Sequence, residues 1–262
     1  MLRIDLERGL VEVDRPMGTI TYPIGSPQAF EWISRAWLRS GWDGKYVYSF
    51  TWMGRPIIQL PDDVLRMQEA LYAVRPDVVV ETGVAHGGSL VFYASLFRAM
   101  RRGRVVGVDI EIRPHNRHAI ETHEMADLIT LIEGSSTEPA IVDQVRAQVQ
   151  PGETVLVILD SNHSKRHVRE ELEVYGPLVS PGSYIVATDG IMGDLIGAPR
   201  SQPDWGWNNP RVAAEEFLAA HPEFELAPPA FPFNEGTLTD RVTYWPGAWL
   251  RRKCMAAAKV SA

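Results

Sequence analysis

From Pro76 onward the sequence alternates short apolar runs with longer amphipathic segments, and this alternation constrains the fold more than any other feature. The apolar runs are continuous and rich in β-branched residues, as is typical of strands buried on both faces of a sheet. Repeated strand–helix units predict an α/β fold with a mostly parallel central sheet and right-handed crossovers. We expect strands at 77–82, 104–110, 128–134, 154–161 and 183–190, and helices at 88–101, 115–126, 137–149 and 164–179.

The flanking regions carry further signals. Ser26 suits the N-cap of a helix at 26–41, which Gly41 would end. A second helix at 61–74 leads into the first strand, and a third is predicted at 209–222. The segments 224–227 and 242–250 are candidates for closing strands, and 193–210, with Trp205 and Trp207, is predicted to be a loop.

Charge and cysteine content narrow the function classes. The net charge of −7 disfavours a nucleic-acid partner, because a phosphate backbone demands a basic face. The single cysteine, Cys254, excludes an internal disulfide and fits a reducing compartment. The charged N-terminus lacks the apolar core of a signal peptide, and no run approaches the ~20 apolar residues of a membrane span. We expect a cytoplasmic protein without a membrane span.

The stretch "ETGVAHGGS" (81–89), directly after the first strand, predicts close approach of a ligand to the backbone. Its glycines are spaced G-x-x-x-G, and Ala85 replaces the glycine that admits a pyrophosphate in dinucleotide-binding proteins. No lysine precedes Ser89, so a P-loop is excluded as well. The pattern suits a ligand without phosphates, such as S-adenosylmethionine (SAM). The alternative is a tight strand–helix turn that needs glycine for its own geometry.

Two later strand ends support an adenosine-bearing ligand. Asp109 ends the second strand, where an acid can bind both ribose hydroxyls. The third strand closes with "IEGSS" (132–136), where the adenine would lie. The predicted cofactor-binding residues are Glu81, Gly83, His86, Gly87, Ser89, Asp109, Ser135, Ser136 and Asp160.

A second group of polar residues follows the fourth and fifth strands. Asp160 and Asp189 should meet at one edge of the sheet, because neighbouring parallel strands end there together. Two adjacent carboxylates repel unless a proton or a cation intervenes, and Mg²⁺ prefers oxygen ligands. His163 lies close enough to accept a proton from a substrate hydroxyl. The alternatives are a helix-capping Asp160, a turn at Asp189 and a solvent-facing histidine.

Three stretches carry a family resemblance: "VVVETGVAHGGSLVFYAS", "LDSNHSKRHVREELEVYGPLVSPGSYIVATDG" and "NPRVAAEEFLAAHPEFE". They resemble the cephalosporin hydroxylase family, which contains rhamnosyl O-methyltransferases and is similar to macrolide-sugar O-methyltransferases. The resemblance covers about residues 50–250. It implies a Rossmann-like class I methyltransferase fold that binds SAM and Mg²⁺.

When the family's functional positions are transferred to this sequence, the resemblance implies that Asp160 and Asp189 are the metal ligands. It also implies that His163 is the general base and that Asp160 belongs to the catalytic residues. Glu81, Gly83 and Asp109 match SAM-contacting positions. The family often has an acid where this chain has Thr188, which leaves metal dependence open. A non-haem iron hydroxylase is disfavoured, because nothing resembles its ligand triad of two histidines and one carboxylate.

We therefore expect a SAM-dependent O-methyltransferase acting on a hydroxyl of a sugar or glycosylated natural product. The SAM-binding catalytic domain would span 61–262. Residues 1–60 would form an N-terminal extension, with a helix and an aromatic-rich segment, that caps the substrate or joins subunits of a homo-oligomer. The alternatives are a non-catalytic SAM-binding partner of a tailoring enzyme and an NAD-dependent oxidoreductase, the latter disfavoured by Ala85.

Overall fold

The computed structural model describes residues 1–254. The predicted catalytic domain runs to residue 262, so its final segment, 255–262, lies outside the described residues. No helix within the described part of the chain has the length and apolar character that crossing a membrane requires.

The N-terminal region begins with an antiparallel sheet that the sequence patterns do not predict. Its three strands are short, and the third is exposed along most of its length, so apolar alternation is weak. The helix that follows begins as predicted, and the Ser26 side chain accepts a hydrogen bond from the amide of Ala29 at 3.2 Å. It continues past Gly41, the predicted end, to Asp43 and is capped by Gly44. These elements are β1 (Leu2–Asp5), β2 (Leu10–Arg15), β3 (Gly18–Pro23) and α1 (Pro27–Asp43).

A short hairpin, β4 (Phe50–Trp52) and β5 (Arg55–Ile57), connects this region to helix α2 (Pro61–Val74). The hairpin packs on the helix that follows the glycine loop, because Trp52 contacts Phe92 edge to face with ring centroids 4.8 Å apart. The Trp52 indole N–H also donates to the Ser95 hydroxyl at 3.0 Å. The hairpin is therefore part of the packing that holds the glycine loop.

The remaining elements form a seven-stranded sheet covered by helices on both faces. Its spatial order is β11-β12-β10-β9-β6-β7-β8, with β6 to β10 parallel and β12 antiparallel to both of its neighbours. The elements, in chain order, are β6 (Val78–Thr82), α3 (Gly88–Met100), β7 (Arg104–Asp109), α4 (Pro114–Glu121), β8 (Ile129–Glu133), α5 (Pro139–Ala147), β9 (Val155–Leu159), α6 (Lys165–Tyr175), β10 (Tyr184–Ala187), α7 (Pro210–Ala220), β11 (Phe224–Leu226) and β12 (Trp249–Arg252).

The central strands are continuous apolar runs in the sequence because both of their faces are buried. Every residue of β6, β9 and β10 is buried. Val79 faces one core, with α2 and α3, whereas its neighbours Val78 and Val80 face the other, with α5, α6 and α7. The predicted α/β fold with a mostly parallel sheet is confirmed.

Three further boundaries predicted from the sequence need correction. The helix predicted at 115–126 ends at Glu121, and that at 164–179 ends at Tyr175, where Gly176 and Pro177 continue as a 3₁₀ turn. The predicted strand at 242–250 is wrong for 242–248, since the backbone turns at Gly247 and pairs only from Trp249. The segment 195–209 has no regular element, as predicted.

Gly88 offers a test of how the hairpin packs on α3. A Cβ atom at Gly88 would lie 2.1 Å from the carbonyl oxygen of Pro56 and 2.8 Å from the Cα of Ile57. We expect Gly88→Ala to lower the free energy of unfolding by about 1–3 kcal/mol through overpacking. Gly25→Ala is the control, because nothing lies within 4 Å of a Cβ there. Equal urea midpoints for the two variants would contradict this packing.

Candidate functional site

The predicted site residues lie where the order of strand addition reverses from one side of β6 to the other. From β6 the chain adds β7 and β8 on one side and then crosses to add β9 and β10 on the other. Ligands of open α/β sheets bind outside the carboxyl ends of the strands at such a point. The glycine loop directly follows the carboxyl end of β6, and Asp160 directly follows that of β9.

The glycine loop is shaped by contacts with the protein itself. Gly83 has φ +95°, and a Cβ atom there would lie 2.0 Å from the carbonyl oxygen of Asp160. Gly87 has φ +79°, and its Cβ would meet Ile120 at 2.4 Å. The tight-turn alternative therefore accounts for both glycines, and their contact with a cofactor stays a prediction.

Asp109 ties this loop to the end of β7. Its Oδ2 atom accepts hydrogen bonds from the amides of Val84, at 2.8 Å, and Ala85, at 3.1 Å. Its other oxygen accepts from the amide of Glu111 at 3.2 Å. The carboxylate thus lies beside the glycine loop, where the sequence places the ribose, and ribose binding stays a prediction.

Glu81 lies beneath the crevice rather than on its surface. The side chain is fully buried, and it accepts hydrogen bonds from Ser89, at 2.6 Å, and Tyr93, at 2.9 Å. Burial, followed by the charges of Asp160 and Asp109, raises its pKa well above the usual range. The predicted cofactor residues Glu81 and Ser89 therefore pair with each other in this conformation, and any ligand contact stays a prediction.

Two polar residues that the sequence analysis missed hold the backbone of the loop. The guanidinium of Arg55 donates to the carbonyl of His86 at 2.7 Å and to the side chain of Asn116 at 3.0 Å. Asn116 in turn donates to the carbonyl of Ala85 at 2.9 Å. The imidazole of His86 is half-buried, and its predicted contact with a cofactor is not tested. Neither Arg55 nor Asn116 lies in a recognisable motif, so only the fold shows their role.

A buried carboxylate orients one of the two serines that are predicted to border the adenine. Glu171 is fully buried and accepts hydrogen bonds from Ser136, at 2.6 Å, and Ser161, at 2.7 Å. His167 lies 3.3 Å from the same oxygen, and this contact raises the pKa of His167. Ser135 lies outside this cluster and approaches Thr137 at 3.4 Å. His167 and Glu171 are four residues apart and so lie on one face of α6, a spacing that the sequence analysis did not use.

Asp160, His163 and Asp189 come together as predicted. Their nearest ligand atoms all lie within 4.8 Å of one another. The Nε2 atom of His163 is 3.6 Å from Asp189 and 4.0 Å from Asp160. Asp189 has a left-handed backbone, with φ 57°. Two carboxylates and an imidazole at this separation fit a hard divalent cation with open positions.

Thr188, which replaces the family's frequent acid, lies under the cluster. It is fully buried, and its hydroxyl is 2.7 Å from Oδ1 of Asp160 and 2.9 Å from the carbonyl of Leu159. Burial and the neighbouring Asp189 raise the pKa of Asp160 to about 6, although His163 and Thr188 lower it in part. Thr188 therefore orients Asp160, one of the two predicted metal carboxylates, by donating a hydrogen bond to it.

A cavity of about 520 Å³ opens beside the Asp160–His163–Asp189 cluster, and aromatic and polar side chains contribute to its lining. Trp42 and Trp205 pack edge to face across it, with ring centroids 5.7 Å apart. Trp207 is 60% exposed and is not among the lining residues. The lining residues are Trp42, Val47, Tyr48, Ile58, Asn162, His163, Ser164, Asp189, Met192, Gln202, Asp204, Trp205, Asn208 and Tyr244.

Comparison with known sequences identifies the family. The model of the family "Rhamnosyl O-methyltransferase/CmcI" matches residues 44–253, so the chain belongs to this family of methyltransferases. The rhamnosyl O-methyltransferase of Mycobacterium leprae (strain TN) is 33% identical over 161 residues, which cover 60% of this chain and 68% of that protein. The rhamnosyl O-methyltransferase of Mycobacterium bovis (strain BCG / Pasteur 1173P2) is 34% identical over 142 residues. The match covers 53% of this chain and 56% of that protein. The resemblance inferred from the sequence is confirmed.

Solved structures confirm the fold. An apo structure of CmcI aligns with a TM-score of 0.52 and 20% identity, covering 79% of this chain and 77% of that one. A structure described as CmcI with Mg and SAM aligns with a TM-score of 0.51 and 18% identity, covering 79% and 78%. The predicted Rossmann-like methyltransferase fold is therefore correct.

The raised pKa of Asp160 predicts that Mg²⁺ binding depends on pH. A proton competes with the cation for Asp160, so affinity is full above the folded pKa of about 6 and is lost as pH falls through it. Calorimetry should find Mg²⁺ binding about tenfold weaker at pH 5 than at pH 7. Asp204→Asn, in the same cavity but outside the cluster, should change neither value. Binding that is equal at both pH values would contradict the site.

Proposed function

We propose that this protein is a SAM-dependent O-methyltransferase that acts, with a divalent cation, on a hydroxyl of a sugar or glycosylated natural product. One observation carries the proposal: the Asp160–His163–Asp189 cluster lies between the glycine loop and an aromatic cavity. Membership of a family named for rhamnosyl O-methyltransferases supports the reaction and the acceptor class.

The donor would lie along the carboxyl ends of β6, β7 and β8. In this arrangement Asp109 binds the ribose hydroxyls, and Ser135 and Ser136 border the adenine. Gly83, His86 and Gly87 form the wall of the loop, with Glu81 and Ser89 beneath it. Asp160 lies at the reacting end, next to Gly83.

The acceptor would enter the aromatic cavity with its hydroxyl facing His163. A bound Mg²⁺ would lower the pKa of the hydroxyl that reacts. Asp160 and Asp189 would hold that ion, and Thr188 would keep Asp160 in position. His163 would accept the hydroxyl proton while the oxygen attacks the methyl carbon and the sulfur departs. Placement of both substrates would supply most of the acceleration.

A second candidate is a non-catalytic SAM-binding partner of a tailoring enzyme. Thr188 favours it, because the cluster has only two carboxylates where the family often has more. An NAD-dependent oxidoreductase has no such support, and Ala85 disfavours it. The homo-oligomer and the cytoplasmic location remain predictions.

Methyl transfer from labelled SAM is the decisive experiment. Purified protein is incubated with Mg²⁺ and a panel of rhamnosides and other glycosides that carry adjacent hydroxyls, and labelled product is separated by chromatography. Transfer that requires Mg²⁺ supports the proposal. SAM binding without transfer to any acceptor, even though Asp160 and Asp189 are intact, would favour the non-catalytic partner.

His163→Ala should lower kcat by about 10²–10⁴ if the imidazole is the general base. The SAM affinity and the Mg²⁺ affinity, both measured by calorimetry, should stay within about twofold of the original protein, because a base acts only in the reaction. His118→Ala on the exposed face of α4 is the control and should change none of these values. A parallel loss of Mg²⁺ affinity would instead make His163 a metal ligand, which its 3.6 Å distance from Asp189 permits.

Trp205→Ala tests the acceptor cavity. Removing the ring eliminates an apolar wall that packs on Trp42, so KM for the acceptor should rise about tenfold or more. Trp207→Ala is the matched control, since that indole is exposed and outside the lining. Equal effects of the two substitutions on acceptor KM would place the acceptor elsewhere.

A further inference from the structure

Asp204 is a carboxylate in the aromatic cavity that the metal cluster does not use. It lines the cavity together with His163 and Asp189, yet it lies outside the Asp160–His163–Asp189 group. Its side chain is partly buried, in the loop 195–209, where the sequence patterns singled out only two tryptophans. The proposed reaction therefore leaves this carboxylate without a role.

Hydrogen bonds hold Asp204 in a fixed position relative to the proposed base. Its Oδ2 atom accepts from the Nδ2 atom of Asn208 at 2.7 Å, and the Oδ1 atom of Asn208 accepts from the backbone amide of Lys165 at 2.8 Å. Lys165 is the first residue of α6 and lies two residues after His163. The backbone carbonyl of Asp204 also accepts from the amide of Trp207 at 3.0 Å. A side chain held in this way recognises a ligand in a defined orientation.

One oxygen of this carboxylate remains available to a ligand. No hydrogen bond from the described residues reaches the Oδ1 atom of Asp204. This oxygen is not among the buried unpaired atoms of the described residues, so it is accessible from the cavity that Asp204 lines. A carboxylate accepts hydrogen bonds and donates none, so the ligand group that meets it must carry an O–H or N–H.

The surroundings of Asp204 restrict this ligand further. Among the described residues that line the cavity there is no lysine or arginine, and the other carboxylate belongs to Asp189. An anionic group would therefore meet repulsion. The ring of Trp205, the next residue, forms an apolar wall. A neutral ligand with an apolar face and hydroxyl donors fits both features, and a sugar ring has this character.

We propose that Asp204 determines acceptor specificity by accepting, at Oδ1, a hydrogen bond from a second sugar hydroxyl that is not itself methylated. This inference rests on the proposed function, since it takes the acceptor to be a sugar bound in the aromatic cavity. It adds a requirement for a free hydroxyl at a second, fixed position of the sugar. A site that binds a substrate hydroxyl rejects an analogue without it, because the polar group of the protein is then left without its partner.

Monodeoxy sugars test this role. The probe is the glycoside of the acceptor panel with the highest kcat/KM, together with derivatives that each lack one hydroxyl other than the methylated one. In the unaltered protein, kcat/KM should fall about tenfold or more for the derivative that lacks the hydroxyl bound by Asp204. A derivative that lacks a hydroxyl bound by Mg²⁺ would also react more slowly, so a second comparison has to separate the two causes.

Asp204→Asn provides that comparison. The variant keeps an oxygen for the bond from Asn208 but removes the charged acceptor, so kcat/KM for the full glycoside should fall about tenfold. The penalty for one monodeoxy derivative should then shrink to within about twofold, whereas a penalty that arises at the metal should persist. Affinities for SAM and for Mg²⁺ without acceptor, measured by calorimetry, should stay within about twofold. Asp143→Asn, at an exposed acid on α5, is the matched control and should change none of these values.

The results distinguish this inference from the proposed function. If no glycoside of the panel is methylated, the proposed function is wrong and the inference falls with it. If glycosides are methylated but no monodeoxy derivative is impaired with the unaltered protein, the inference is wrong and the proposed function stands. The same conclusion follows if Asp204→Asn leaves kcat/KM unchanged or lowers it by the same factor for the glycoside and for every derivative.

Discussion

The contact between Gly83 and the backbone of Asp160 is the constraint on which the site depends. These residues leave the two central strands, β6 and β9, and only a residue without a Cβ allows their main chains to approach so closely. The same contact brings the glycine loop, predicted to bind the methyl donor, next to the first carboxylate of the metal cluster. The proposed donor and acceptor sites are adjacent because two buried parallel strands end side by side.

A second constraint comes from the segment that precedes the sheet. Arg55 holds the carbonyl of His86, Gln59 faces Asp160, and Asp63 accepts a hydrogen bond from the amide of Tyr244 at 2.8 Å. Each contact joins this segment to a different loop at the carboxyl ends of the strands. The cavity proposed for the acceptor therefore takes part of its wall from this region, which supplies Trp42, Val47, Tyr48 and Ile58.

The sequence predicted what depends on local pattern and strand order. Continuous apolar runs predicted the central strands. Their order along the chain predicted that Asp160 lies beside Asp189, and the two residues do lie together. It could not predict Arg55, Gln59 or Glu171, because a lone polar residue outside a motif shows its role only once distant segments pack around it. The strand predicted at 242–248 failed for a similar reason: Asp63, from far along the chain, binds its backbone in place of a neighbouring strand.

The acidic side chains near the carboxyl ends of the strands bear on the ligand proposed for this crevice. Burial raises the pKa of Asp63 to about 8 and that of Asp160 to about 6, and it raises that of Glu81 well above its usual range. A bound cation would stabilise the ionised forms of these acids, whereas the anionic pyrophosphate of a dinucleotide would disfavour them further. The proposed donor, SAM, carries a sulfonium and an ammonium, and the proposed divalent cation would be held by Asp160 and Asp189. The electrostatics therefore favour the same ligand as the spacing of the glycines, by an independent physical route.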